Sequence, residues 1–138
     1  MEALTAPPNR KFIKTRRLII AVFCIFLIVY HISKLLNIYT AASGAEYALI
    51  VHMQSLLRMA IIVTATLVIF GKKYALTSMW ISITALITTQ YIVYFGLVQA
   101  DMTPVSSAVS YLRGFILPTI ITLIFPFQSK IASSLHPS

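Results

Sequence analysis

Residues 10–39 read RKFIKTRRLIIAVFCIFLIVYHISKLLNIY, and this stretch decides the fold. Arg10, Lys11, Lys14, Arg16 and Arg17 stand directly before an apolar run that continues from Leu18 to Tyr39. One helical crossing of the hydrocarbon core needs about 20 such residues. Basic residues flanking a span favour the cytoplasmic side, where anionic lipid attracts them. A basic region before an apolar run is also the outline of a signal peptide. This run outlasts an h-region and lacks a clear small-x-small cleavage site, so it reads as an uncleaved first span.

The rest of the chain repeats the pattern. Apolar segments cover about residues 47–70, 74–97 and 105–127, so with 18–39 there are four expected spans. Ala41-Ala42-Ser43-Gly44-Ala45 reads as a tight turn with Gly44 as the helix stop, and Gly71-Lys72-Lys73 ends the second span. Ala100-Asp101-Met102-Thr103-Pro104 is the next loop, with Asp101 or Thr103 available as a cap. Pro118 should kink the fourth span and free a carbonyl for a neighbour to satisfy. Four crossings of about 20 residues use nearly all of the 138 residues.

Composition agrees with this layout. The chain is 59% hydrophobic and 10% charged, with mean hydropathy +0.88; soluble domains are nearer about 25% charged. The expected class is therefore all-α and integral to the membrane, with four transmembrane helices in an antiparallel bundle. Residues 1–17 form a basic N-terminal tail, 18–128 the membrane domain and 129–138 a C-terminal tail. The N-terminal cluster, Lys72/Lys73 and Lys130 fall at alternate ends of successive spans, whereas loops 41–46 and 100–104 carry no Lys or Arg. Both termini are expected in the cytoplasm, in a bacterial inner membrane.

The same distribution turns the net charge of +8 away from nucleic acid, because the basic cluster adjoins a span. The lone cysteine, Cys24, excludes an internal disulfide or a CxxC pair and reads as a small buried hydrophobe. The only acids are Glu2, Glu46 and Asp101, so paired-carboxylate chemistry has little to draw on. No GxSxG, P-loop or GxGxxG motif is present. An enzyme is not expected, no metal site is named and no cofactor is assigned.

Three cations interrupt the apolar runs: Lys34, Arg58 and Arg113, each on a different span. A charge at membrane depth usually faces a protein interior or a water-filled cavity. Counting ~1.5 Å per residue from the cytoplasmic charges puts His31 and Arg58 at about 21 Å. Lys34, Gln90 and Arg113 fall near 25 Å, and His52 near 30 Å, so the polar groups share the outer third of the bilayer. Helical spacing gathers Tyr30, Lys34 and Asn37 on the first span, with His31 at the edge. On the second it gathers Tyr47, Gln54, Arg58 and Ala65, flanked by Ser55 and His52. Thr77, Thr84, Thr88 and Tyr91 stripe the third, and Ser106, Ser110 and Arg113 the fourth. Such stripes are expected to face the bundle interior.

Plainer roles compete with function. Ser/Thr stripes mediate helix packing, Lys34 can snorkel to the headgroups, Arg113 can do likewise or pair with Asp101 or Glu46, His31 and His52 can be satisfied interior or interfacial histidines, and the tyrosines suit an interfacial belt. The candidate site is His31, Lys34, His52, Gln54, Arg58, Gln90 and Arg113, a polar layer for an anionic group or partner. The expected function is a non-catalytic accessory, regulatory or immunity-type subunit, in contact with membrane lipid and with a membrane-protein partner or a second copy of itself. One alternative is a small transporter or channel using the cations for anion selection. Another is a haem b or quinone protein using His31 and His52.

Overall fold

The computed structural model describes residues 10–41, 49–97 and 107–134, all on helices or the turns joining them. Helix α1 is Arg10–Ala41, α2 Leu49–Ile69, α3 Lys73–Tyr94, α4 Ala108–Leu112 and α5 Ile116–Ser134; a 3₁₀ turn, Arg113–Phe115, joins the last two. Among the described residues there is no strand. The turn expected at 42–45, the loop at 100–104, the acids Glu2, Glu46 and Asp101, and Tyr47 and Ser106 lie outside the described residues.

Three helices are long and apolar enough to cross a membrane, namely Ile13–Thr40, Leu49–Ile69 and Lys73–Tyr94. By length and composition this marks a membrane protein. The outer surface agrees, since Leu18, Phe26, Leu56, Phe70, Ile81 and Leu123 are all exposed. Water tolerates contiguous apolar surface poorly, whereas lipid does not penalise it.

The first helix is longer than its apolar run. Residues 10–17, expected as a tail, continue the helix, because Lys and Arg are good helix formers. At 32 residues α1 spans roughly 48 Å, well beyond a ~30 Å core.

The α2–α3 connection is only Phe70, Gly71 and Lys72. Gly71 has φ 78°, and the Gly71 N–H donates to the Val68 carbonyl at 2.9 Å while the Lys72 N–H donates to Leu67 at 3.2 Å. These are the two bonds of a Schellman stop, which needs the left-handed conformation that glycine adopts without strain. Gly96 ends α3 in the same way, at φ 69°.

The fourth apolar segment is a shorter helix, Val109–Phe125, and it is not one smoothly kinked rod. Its irregularity falls at Arg113–Phe115, one turn before Pro118. Proline has no N–H to give the carbonyl four residues back, and its ring crowds that carbonyl. Here that residue is Gly114, the centre of the 3₁₀ turn.

Packing follows seams of alternating three- and four-residue spacing, as in left-handed bundles. They are Ile20, Cys24, Leu27 and His31 on α1; Val51, Ser55, Arg58, Ile61, Ala65 and Val68 on α2; and Pro118, Ile121 and Phe125 on α5. From α3 come Ala75, Met79, Ser82, Ile83, Leu86 and Ile87. Contacts run round a ring: α1 against α2, α2 against α3, α3 against α4, and α5 back against α1. The half of the bundle nearest Lys72 and Lys73 is filled by a tight apolar core in which Ile61, Ala65, Met79 and Ile121 are fully buried.

Two expected interior stripes turn out otherwise. Thr77, Thr84 and Thr88 are exposed on the outer face of α3. The Thr88 hydroxyl donates to the carbonyl of Thr84 at 2.8 Å, which satisfies it without a neighbouring helix. On α1, Tyr30, Lys34 and Asn37 are exposed, while His31, placed at the stripe's edge by spacing, is buried in the seam.

Candidate functional site: a basic cavity

Past the apolar core, towards the end of the bundle opposite Lys72 and Lys73, the seams change from hydrocarbon to polar groups. On α1 the residue one turn after Leu27 is His31, and on α2 the residue one turn before Ile61 is Arg58. Both are buried, at 5% and 6% exposure. The Arg58 guanidinium approaches His31, with Nη1 at 3.4 Å from Nδ1. An arginine N–H can only donate, so Nδ1 accepts and a neutral His31 ring carries its proton on Nε2. That leaves Nε2–H as a further donor. The Tyr30 side chain lies beside Arg58 at the cavity wall. Arg58 Nε is buried and has no protein partner. A buried donor left unmade costs free energy and marks a place where a ligand or water is expected.

Around Arg58 lies a cavity of about 440 Å³, within the size range of small-molecule sites. Its polar wall combines His31 and Lys34 from α1, Arg58 from α2, Gln90 from α3, and Ser110 and Arg113 from the α4 side. Lys34 and Arg113 are exposed at its margin, and Arg58 is enclosed. Lys34 Nζ sits 5.8 Å from the centre of the Tyr30 ring, at cation–π range. Tyr30 therefore lies beside two of the three cations.

Of the residues singled out from the sequence, His31, Lys34, Arg58, Gln90 and Arg113 meet on this cavity. His52 and Gln54 do not: His52 is exposed and Gln54 half-buried, because Val51, Ser55 and Arg58 take the inner face of α2. His31 and His52 therefore do not share this cavity. Cys24 is fully buried within the apolar core.

Residues that spacing alone overlooked complete the wall. Tyr111 lines the cavity and packs edge-on against Tyr91 and Tyr94, at 5.5 and 6.1 Å between ring centres. Below it, Phe115 stacks on Trp80 at 5.9 Å, and the Trp80 indole N–H donates to the Thr122 hydroxyl at 2.7 Å. Gly114 admits the 3₁₀ turn against α3: a Cβ there would lie 3.1 Å from Ile87 Cδ1. The one sequence signal for this clasp was the concentration of tyrosines near 91, 94 and 111, which fits an interfacial belt equally well.

The arrangement can bind an anion by charge and by several hydrogen-bond donors. No known protein family, characterised protein or solved structure matches this chain.

Proposed function

We propose that this is a non-catalytic accessory or regulatory protein of a bacterial inner membrane, whose cavity receives an anionic group from the outer side. In this reading α4 and α5 together form the fourth crossing, and both termini are cytoplasmic. Support for that orientation comes from the basic residues at the start of α1 and from Lys72 and Lys73, which gather at the end of the bundle away from the cavity.

The observation that carries the reading is the convergence of Lys34, Arg58 and Arg113 on one cavity, where the buried Arg58 Nε has no protein partner. Like charges gathered at membrane depth repel one another, so their placement makes sense when a negative group completes it. At an effective dielectric near 20, a unit charge about 4 Å from another interacts by roughly 4 kcal/mol. One such contact, before desolvation is subtracted, corresponds to about millimolar affinity and two to about micromolar. The apolar core beneath the cavity favours a blind receptor site over a conduit.

Thermal unfolding in a neutral detergent tests this. Inorganic phosphate and sulfate should raise the midpoint of the purified protein, and Arg58→Gln should abolish the rise. If no anion protects the wild-type protein at concentrations of many millimolar, the reading fails.

A further inference from the structure

The cavity is lined by α1 and α2 on one side and by α3, α4 and α5 on the other. Around the ring, α1 packs on α2 and α5, and α4 packs on α3, but α1 and α4 have no substantial contact with each other. The cause lies in the α4 clasp: Tyr111 is held by Tyr91 and Tyr94, Phe115 by Trp80, and the turn at Gly114 closes on Ile87. These contacts draw α4 towards α3. Below the turn, α5 returns to α1. Among the described residues this leaves a slot in the packing between the outer half of α1 and α4, both of which line the cavity.

The slot is amphipathic. Tyr30 and Lys34 form its α1 side and Arg113 stands on the opposite side, while Leu27, Leu86 and Leu117 supply apolar wall. The cations also descend. Counted along the helices, Lys34 and Arg113 lie about 25 Å from the basic end and Arg58 about 21 Å, in a hydrocarbon layer of about 30 Å. Two exposed cations at the margin thus lead inward to one enclosed cation whose Nε lacks a protein partner. A small inorganic anion would satisfy the charges and leave the apolar wall empty. A phosphate group carried on an acyl chain would satisfy both.

We infer that an anionic phospholipid enters sideways through the slot between α1 and α4, its phosphate drawn in to Arg58 and its chain lying against Leu27 and Leu117. This deepens the anion reading and rests on it. Annular lipid keeps its phosphate at the membrane surface, whereas here it would sit several ångströms deeper, within the outer third. Phosphate is the shared chemistry of the lipid and the free ion, and the apolar wall together with the slot selects the lipid.

The test reconstitutes the full chain in phosphatidylcholine vesicles containing a small fraction of phosphatidylglycerol with a photoreactive group on its acyl chain. A matched photoreactive phosphatidylcholine serves as the zwitterionic control. After illumination, mapped crosslinks should cluster in 27–34 and 110–117, with several-fold more from the anionic probe. Arg58→Gln should remove the excess, and Arg113→Gln, at an exposed position, should reduce it even if the first variant folds poorly. Equal labelling by both lipids, spread over outward residues such as Leu56 and Ile81, would overturn lateral lipid entry. If inorganic phosphate protects against unfolding while crosslinks stay spread, the anion site stands and the lipid inference falls. If neither phosphate nor lipid has any effect, both fall together.

Discussion

Replacing Arg58 by methionine should stabilise the empty protein and abolish its response to anions. Arg58 is 6% exposed, its hydrogen bond to His31 is long at 3.4 Å, and its Nε has no protein partner. Exchanging buried ionic groups for hydrophobic residues of similar volume is often neutral or stabilising by about 1–4 kcal/mol. Against this stands the loss of the bond to His31, roughly 1 kcal/mol net, with a cavity beside the ring where water can replace the donor. The expected balance is a gain of about 1 kcal/mol, or roughly 3 °C in midpoint at this chain length. Ligand reverses the order. At a hundred times its dissociation constant a ligand stabilises by about 2.7 kcal/mol, and Arg58→Met should gain none of it. Thermal unfolding in neutral detergent, with and without phosphatidylglycerol, would then give crossing results: the variant melts higher without the anion and lower with it. A variant that melts lower in both conditions, with an anion increment equal to the wild type's, would refute the reasoning and make Arg58 a packing residue.

Gly71→Ala places a Cβ at φ 78°, which should cost about 1–2 kcal/mol and lower the unfolding midpoint without altering anion response. Thr122→Val deprives the Trp80 indole of its acceptor at 2.7 Å, at a cost of about 1–3 kcal/mol, and the fluorescence of this single tryptophan should shift while its stacking on Phe115 persists. Cys24, at 0% exposure, should resist maleimide in the folded protein and react on unfolding, which gives an independent clock for the midpoints above.

The outline of the bundle was legible because it rests on local physics. Apolar run length, the glycine at 71 and the placement of Lys72 and Lys73 each act within a few residues. The polar layer was legible for a similar reason: helical rise alone puts His31, Lys34, Arg58, Gln90 and Arg113 at similar heights. Height does not fix direction, however. His52 and Gln54 share the layer, yet the inner face of α2 runs through Ser55 and Arg58. The threonines of α3 mislead because a threonine hydroxyl can bond its own helix, so a polar stripe need not seek the interior. A kink was expected from Pro118; the irregularity is instead a 3₁₀ turn centred on Gly114, the residue whose carbonyl loses its donor. The slot was not legible, because it depends on α4 leaning to α3 through aromatic contacts between residues far apart in the chain.

The central claim is that Lys34, Arg58 and Arg113 together hold an anionic group in one cavity. Native mass spectrometry of the protein released from neutral detergent, with added phosphatidylglycerol, tests it most directly. Wild-type protein should keep a bound phosphatidylglycerol at collision energies that strip phosphatidylcholine, and Arg58→Gln should lose both lipids alike. Retention of phosphatidylglycerol by the variant as tenaciously as by the wild type would contradict the account.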